Sequence, residues 1–123
     1  MLLITALIAV ESGGDDLALG DYLQGSPRAY GALQMHALCV KDASRISGRD
    51  YKHDDAFDRE KAIEMCIIYL NHYCSEKRLG RPATWHDYAL CWQGGPNGYK
   101  RGNKVSRTYI MKVKRELDKL NNK

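Results

Sequence analysis

Glu11 is the charged side chain whose position in the sequence is hardest to explain by structure alone. Ile4, Leu7, Ile8 and Glu11 follow the spacing i, i+3, i+4 and i+7, so they share one face of a helix. Burial at the end of this apolar stripe favours the neutral carboxyl form, and the negative end of the helix dipole acts in the same direction, so we expect the pKa of Glu11 to be raised. A carboxylic acid that keeps its proton near neutral pH can protonate the leaving oxygen of a glycosidic bond. The alternative is a glutamate at a helix end that turns into solvent.

Three aspartates follow Glu11 in a loop, namely Asp15, Asp16 and Asp21. An inverting glycosidase needs a second carboxylate roughly 6.5–9.5 Å from its acid, where it holds a water on the far face of the sugar. Asp21 is the best placed of the three for that role by loop reach. The alternative is that these aspartates are solvated or form turns.

The elements that must position these side chains follow a mostly helical pattern. Helices are predicted over 2–11, 34–46 and 57–79, from Thr84 to Gly94, and over 104–121. Thr84 stands three residues before Asp87, which is typical of a capping box at a helix start. Residues 15–33 contain several glycines and a proline, and they predict an irregular loop with room for a small hairpin. The sequence therefore predicts a mainly α fold with glycine-rich loops.

Length and composition limit the number of domains and the class of protein. The chain has 123 residues, which fits a single domain over 1–123. Hydrophobic residues make up 44% and charged residues 28%, values that are ordinary for a globular protein and exclude disordered and fibrous classes. The longest apolar run, 1–10, is too short for the roughly 20 residues of a membrane-spanning helix. No basic residue precedes that run, so we do not expect a signal peptide.

Charge is unevenly distributed along the chain. Residues 1–99 hold 10 basic and 13 acidic side chains, whereas residues 100–123 hold 9 basic and 2 acidic ones. A basic final segment suits an anionic polymer such as nucleic acid, a membrane surface or the bacterial cell wall. The alternative is a solvated helix face.

The four cysteines, Cys39, Cys66, Cys74 and Cys91, permit two disulfides in three connectivities. Cys66 and Cys74 are predicted on one helix, about 12 Å apart along its axis, which is too far for a direct bridge. Reduced core cysteines are favoured, and pairing between different helices is the alternative. The cysteines show no CxxC spacing, so we expect no metal site.

Four short segments resemble the motifs of one known family in both order and spacing. They are Glu11–Gly14, Tyr30–Met35, Ala89–Gly98 and Thr108–Ile110. The chain resembles the lytic transglycosylase family of the lysozyme superfamily, in its soluble lytic and goose-type lysozyme-like branch. The four segments are similar to that family's catalytic Glu-Ser-Gly, its Gly-Leu-Met-Gln type block, its Ala-Tyr-Asn-Ala-Gly-Pro-Gly and its Thr-Tyr-Val type segment. The resemblance extends over almost the whole chain and implies a lysozyme-like helical domain.

Two of these segments depart from the family's pattern. Trp92 and Gln93 stand where the family usually has Tyr-Asn, and Ala32-Leu33 stands where it has Leu-Met. Both departures fall in segments that the resemblance assigns to substrate binding.

The resemblance implies an enzyme that cleaves the β-1,4 bond between N-acetylmuramic acid and N-acetylglucosamine in peptidoglycan. Glu11 would be the single acid and base, and the hydroxyl of Tyr109 would orient Glu11 or the substrate's N-acetyl group. Attack by the muramic acid 6-hydroxyl on its own C1 would leave 1,6-anhydro ends. The expected substrate-binding residues are Gly31, Gln34, Met35, Trp92, Gln93 and Gly94.

The same resemblance implies a monomer that needs no cofactor or metal and acts on peptidoglycan glycan strands. The expected place of action is the bacterial cell wall, reached from the periplasm, from outside the cell or by phage delivery. A hydrolytic muramidase that uses Glu11 and Asp21 is one alternative, and a non-catalytic glycan-binding module is another. A nucleic-acid-binding helical domain has only the basic final segment in its favour, so we expect no nucleic-acid partner.

Overall fold

The computed structural model describes residues 2–20 and 28–122, and these residues are mainly helical. A 3₁₀ helix, His53–Phe57, lies between the second and third α-helices. The α-helices are α1 (Leu2–Ser12), α2 (Ala37–Ser47), α3 (Arg59–Tyr73), α4 (Glu76–Leu79), α5 (Trp85–Gly94) and α6 (Arg107–Asn121). The predicted mainly α fold is confirmed. Within the described residues, no helix is both long and apolar enough to cross a membrane.

Local sequence signals set several of the helix ends. Thr84 precedes α5, its Oγ1 accepts a hydrogen bond from the Asp87 N–H, and its own N–H donates to the Asp87 carboxylate over 2.8 Å. This reciprocal pair is the capping box that the sequence predicts. Gly48 and Gly80 end α2 and α4 at φ values of 74° and 77°, a left-handed conformation that glycine adopts without steric cost.

The prediction of one continuous helix over 57–79 is wrong. The 3₁₀ helix already includes Phe57, and the helical hydrogen bonding of α3 ends at Tyr73. Ser75 is extended, with φ −77° and ψ 155°, and its Oγ caps α4 by accepting from the Arg78 N–H. Cys74 therefore lies just beyond α3 rather than on one helix with Cys66.

Two other helix starts fall three residues later than predicted. α2 begins at Ala37 rather than at residue 34, because Tyr30 and Met35 are paired in an antiparallel bridge that holds the preceding residues in a turn. α6 begins at Arg107 rather than at residue 104, because Ser106 caps it, accepting from the Thr108 N–H. In the described part of the chain, the irregular loop over 15–33 contains isolated bridges, not the strands of a hairpin.

The chain divides into two compact units. One comprises the described residues of Met1–Val10 and Leu70–Lys123, and the other comprises those of Glu11–Tyr69. The core of the first unit is built by apolar side chains of α1, α5 and α6: Ile4, Ala6, Leu7, Ile8, Ala89, Leu90, Cys91, Val113 and Leu117. The core of the second unit is built by the following: Ala29, Ala32, Leu33, Met35, Val40, Ala43, Ala56, Ala62, Met65, Cys66 and Tyr69. Each fully buried large apolar side chain stabilises its unit by about 1.5–3 kcal/mol.

Candidate functional site

Glu11 lies in the last turn of α1 and is half-buried. The apolar residues that share its helical face, Ile4, Leu7 and Ile8, are all buried, so the predicted core-facing stripe is confirmed. α1 ends at Ser12, one residue after Glu11, because Gly13 and Gly14 adopt φ values of 66° and 94° and turn the chain away. Glu11 therefore stands where a buried helix face meets a loop.

The Glu11 carboxylate acts electrostatically on a buried thiol. Cys66 is fully buried in α3, and its pKa is raised well above the usual value, first by burial and then by the neighbouring Cys39 and Glu11. Cys66 is therefore a neutral thiol at physiological pH.

Arg59 fixes the loop that follows Glu11. Its Nη2 donates to the Gly14 carbonyl over 2.5 Å, and its Nε donates to Asp16 Oδ1 over 2.6 Å. Asp15 Oδ1 accepts from the Leu17 N–H over 2.9 Å, which is an aspartate turn of the kind expected in such loops. Asp15 thus has its partner within the loop, Asp16 has its partner on α3, and the third candidate second carboxylate, Asp21, lies outside the described residues.

The segment Tyr30–Met35 forms a tight loop closed at its base. The Tyr30 and Met35 backbones exchange hydrogen bonds of 3.0 and 2.9 Å. Gly31 has φ 81°, and a Cβ added there would lie 1.9 Å from the Ala56 carbonyl oxygen. Gly31 is therefore required by close backbone packing, because any side chain would collide with residue 56.

The Glu11 loop and the Tyr30–Met35 loop meet at the Ala18 carbonyl. This oxygen accepts from the Gly31 N–H over 2.8 Å and from Gln34 Nε2 over 3.3 Å. Gln34 Nε2 also donates to the Gly31 carbonyl over 3.0 Å. Gln34, which was predicted to bind substrate, thus holds the two loops together through its amide nitrogen.

Met35 was predicted to line a sugar cleft, and the structure corrects this expectation. Its side chain is 1% exposed and belongs to the core. The reason is its place in the bridge with Tyr30, which turns the next residue, His36, outward and Met35 inward. Its backbone carbonyl has a separate role, because it contacts His53 Nε2 at 2.8 Å.

An aromatic stack that the sequence did not predict supports this loop. The Tyr30 ring is stacked on the His53 ring, with centroids 3.7 Å apart, and on the Phe57 ring at 4.5 Å. His53 and Phe57 are the two ends of the 3₁₀ helix. Helical periodicity could not have found them, because a five-residue 3₁₀ segment has no repeating apolar pattern.

In the other unit, the segment after α5 forms a glycine-rich loop that Arg78 anchors. Arg78 Nη1 donates to the Pro96 carbonyl over 3.1 Å, and Nη2 donates to Asn97 Oδ1 over 3.3 Å. The Tyr99 hydroxyl returns a bond to the Arg78 carbonyl over 3.3 Å. Gly98 is buried, and a Cβ there would lie 2.0 Å from the Leu90 carbonyl oxygen, so this loop also depends on a close backbone approach.

This loop forms one wall of an open cavity of about 400 Å³. The lining residues are Gln93, Gly94, Asn97, Gly98, Asn103, Lys104, Val105 and Ser106. The lining includes three amide side chains and one ammonium group, which can hydrogen-bond hydroxyl, amide and carboxylate groups. Sequence reasoning identified Gln93 and Gly94 but missed Asn103 and Lys104, which follow the loop without a recognisable motif.

The structure divides the predicted site residues between the two units. Glu11, Gly31, Gln34 and Met35 lie in the unit Glu11–Tyr69. The other unit holds Trp92, Gln93, Gly94 and Tyr109. Trp92 and Tyr109 are half-buried and are not part of the cavity lining.

The described residues contain no group of three or more His, Cys, Asp or Glu side chains arranged to hold a metal ion. No protein-family model and no curated protein matches the chain. The function is therefore inferred from the chain's own residues and their contacts.

Proposed function

We propose that this protein cleaves peptidoglycan glycan strands at the β-1,4 bond between N-acetylmuramic acid and N-acetylglucosamine, with Glu11 as the acid and base. The proposed reaction is lytic transglycosylation. The observation that carries the proposal is the junction at Ala18, where the loop after Glu11 and the loop Tyr30–Met35 are bound to each other. Each of these two segments separately resembles a transglycosylase motif in the sequence.

The surroundings of Glu11 suit a group that must hold and return a proton. It follows a buried apolar face, it is close enough to the neutral Cys66 thiol to raise the pKa of that thiol, and the loop after it is anchored by Arg59. A carboxyl group fixed in this way can approach a bound glycosidic oxygen without a large entropic cost at the moment of reaction.

The cavity beside Gln93 supports a saccharide or peptide substrate. Its amide groups, on Gln93, Asn97 and Asn103, are the type that bind sugar hydroxyls and N-acetyl groups. Lys104 adds a positive charge, which suits the lactyl or peptide carboxylates of peptidoglycan. A purely neutral glycan would make no use of that charge.

The proposed chemistry has two proton transfers. Protonated Glu11 first donates its proton to the bridging oxygen as the bond to C1 of the muramic acid breaks. The resulting Glu11 carboxylate then takes the proton of the muramic acid 6-hydroxyl, whose oxygen bonds to C1. The product is a 1,6-anhydro end, and Glu11 regains its proton.

The neighbouring aspartates bear on the choice between transglycosylation and hydrolysis. Asp16 is bound to Arg59 and Asp15 to the Leu17 N–H, and Asp21, the candidate for holding a hydrolytic water, lies outside the described residues. An intramolecular hydroxyl needs no second carboxylate, because it is already positioned on the sugar.

The test is digestion of purified peptidoglycan by the wild type and by Glu11→Gln, with the soluble products separated by mass. We expect the wild type to release fragments with anhydro ends, each lighter by one water than a reducing end. Glu11→Gln should lose this activity at least 100-fold, since removing the proton donor eliminates general acid catalysis. Glu60→Gln is the matched control, because Glu60 is an exposed glutamate at the start of α3, and it should retain full activity.

Each other outcome has a definite meaning. If the wild type releases reducing ends and Glu11→Gln does not, the reaction is hydrolysis and not transglycosylation. Binding of insoluble peptidoglycan without any cleavage by the wild type would reject the enzyme and favour the glycan-binding module. Equal activity of the wild type and Glu11→Gln would remove Glu11 from the mechanism.

A further inference from the structure

Cys74 and Cys91 are adjacent in the fold although they belong to different elements. Cys74 follows the end of α3, and Cys91 lies in α5. Both are free thiols, with exposed fractions of 1% and 0%, and their side chains are hydrogen-bonded to each other. Side chains in hydrogen-bond contact can be joined by a disulfide after a small shift of the two sulfur atoms.

The two thiols have different surroundings, which gives them different chemical roles. The hydrogen bond from Cys74 lowers the pKa of Cys91, and the Tyr99 N–H and the Arg78 guanidinium lower it further. Burial and the Asp87 carboxylate act in the opposite direction and raise this pKa. The pKa of Cys74 is raised, first by its hydrogen bond to Cys91 and then by burial. The Tyr99 N–H and the Arg78 guanidinium act on Cys91, where they favour the thiolate form of that sulfur.

The groups around this pair are held in place by contacts of their own. Arg78 is bound to the Pro96 carbonyl and lies over the rings of Tyr73 and Tyr99, with its guanidinium carbon 5.4 and 5.8 Å from their centroids. On the Cys74 side, Arg81 binds the buried carboxylate of Asp87 in a bidentate ion pair of 2.6 and 2.8 Å. The thiol pair is therefore enclosed by ordered polar groups.

We propose that Cys74 and Cys91 form a redox-sensitive dithiol site, which a peroxide oxidises to an intramolecular disulfide. The Cys91 thiolate attacks one peroxide oxygen, the O–O bond breaks, and the leaving hydroxide takes up a proton to become water. Cys91 is then a sulfenic acid. The Cys74 sulfur attacks the Cys91 sulfur, the S–O bond breaks, and the second oxygen leaves as water with the Cys74 proton. Two thiols and one hydrogen peroxide thus give one disulfide and two waters.

The disulfide would join the end of α3 to α5 and so fix the segment that supports the glycine-rich loop. Cys91 lies beneath that loop, because the Tyr99 N–H donates to its sulfur. Because both thiols are buried, peroxide must enter through a local opening of the structure. The site requires no glycosidase activity, so it stands or falls independently of the proposed function.

Peptide mapping tests the proposal on the intact protein. The folded wild type is treated with hydrogen peroxide, quenched, denatured, alkylated with N-ethylmaleimide and digested with trypsin. A Cys74–Cys91 disulfide links peptides 62–77 and 79–100, whereas a Cys39–Cys66 disulfide links 29–41 and 62–77. Peptide 62–77 contains both Cys66 and Cys74, so Cys66→Ser is the matched control variant.

We expect the disulfide-linked pair 62–77/79–100 to be several-fold more abundant than the pair 29–41/62–77. It should persist in Cys66→Ser, disappear in Cys74→Ser, and raise the Tm in a way that dithiothreitol reverses. Sulfinic or sulfonic acid on Cys91 without a link would overturn the proposal, as would a 29–41/62–77 link as the main product. Recovery of Cys74 and Cys91 as alkylated thiols, under conditions that oxidise a small-molecule thiol, would also overturn it. The wild-type map decides the question even if Cys74→Ser does not fold.

Discussion

Arg59 and Asp16 form an ion pair between residues 43 positions apart in the chain, with Arg59 Nε 2.6 Å from Asp16 Oδ1. The same guanidinium binds the Gly14 carbonyl, so one side chain at the start of α3 holds the whole turn after Glu11. Both partners of the ion pair are 44% exposed, which limits its contribution to stability. Its consequence is positional, because it fixes the path of the loop next to the proposed acid.

Replacing Arg59 should therefore affect activity more than stability. We expect Arg59→Ala to lower the rate of peptidoglycan cleavage several-fold, while the free energy of unfolding changes by about 1 kcal/mol or less. Urea unfolding and the rate of release of soluble fragments measure the two quantities. Arg45→Ala is the control, since Arg45 pairs with Asp42 on the exposed side of α2. If both variants cleave at the same rate, the anchoring of this loop is irrelevant to function.

Gly31→Ala should be strongly destabilising. The new Cβ would meet the Ala56 carbonyl at 1.9 Å in a residue with φ 81°, so both collision and backbone strain oppose it. We expect a loss of about 3–4 kcal/mol or failure to fold. Gly48→Ala separates the two effects, because Gly48 has φ 74° but nothing within 4 Å of the added Cβ. It should lose only about 1–2 kcal/mol, and equal losses in the two variants would contradict the predicted collision.

Asp87 should make the stability of its unit depend on acid pH. The hydrogen bonds from Arg81 and Thr84 hold its pKa well below the usual value, against the opposing effect of burial. A carboxyl whose pKa is lower in the folded than in the unfolded state stabilises the fold above its unfolded pKa of about 3.9, and this stabilisation is lost as the pH falls below that value.

Urea unfolding at pH 7 and pH 3 measures this effect. Asp87→Asn should cost about 2–4 kcal/mol at pH 7, because it leaves Arg81 without its buried partner, and the difference from the wild type should shrink at pH 3. Asp50→Asn is the control, since Asp50 is 85% exposed in its pair with Lys52. A difference for Asp87→Asn that is unchanged between the two pH values would show that the carboxylate charge is not involved.

The exposed basic face of α6 should strengthen binding to an anionic cell wall. Asp118 and Glu116 on this helix are paired with Lys114 and Lys119, while Lys112 and Arg115 are exposed. We expect the double change of Lys112 and Arg115 to Gln to weaken wall binding several-fold at low salt, without changing cleavage of short soluble glycans.

Sedimentation of the protein with insoluble peptidoglycan measures this binding. The difference from the wild type should disappear at high salt, because the Debye length shortens from about 10 Å at 0.1 M to about 3 Å at 1 M. A control that changes Lys41 and Lys77 to Gln removes the same charge outside α6. Equal loss in both double variants would indicate a general effect of net charge rather than a role for this face.

Local signals in the sequence were sufficient for the helical class and for several element ends. The capping box of Thr84 and Asp87 and the stripe that leads to Glu11 were predicted correctly, because each depends on residues within one or two turns of a helix. The likeness of four segments to transglycosylase motifs also belongs to the sequence. That likeness predicts which residues form the site, but it does not predict where they lie in the fold.

Contacts between distant residues decided what the local patterns could not. The break between α3 and α4 follows from the capping of Ser75, and the late start of α2 follows from the bridge between Tyr30 and Met35. Gln34 was assigned to substrate by its motif, yet its amide nitrogen is bound to the carbonyls of Gly31 and Ala18, the latter 16 positions away.

The cysteines show the same difference between what local sequence signals predict and what contacts between distant residues determine. The sequence permits three connectivities for four cysteines, and only the packing of α5 against the end of α3 brings Cys74 and Cys91 together. The physical reason is one of range: helix propensity and capping act over about four residues, whereas hydrogen bonds, ion pairs and thiol contacts between elements depend on the complete folded chain. The sequence by itself determined a helical protein with a candidate acid at the end of its first helix, and the tertiary structure decided which side chains surround that acid.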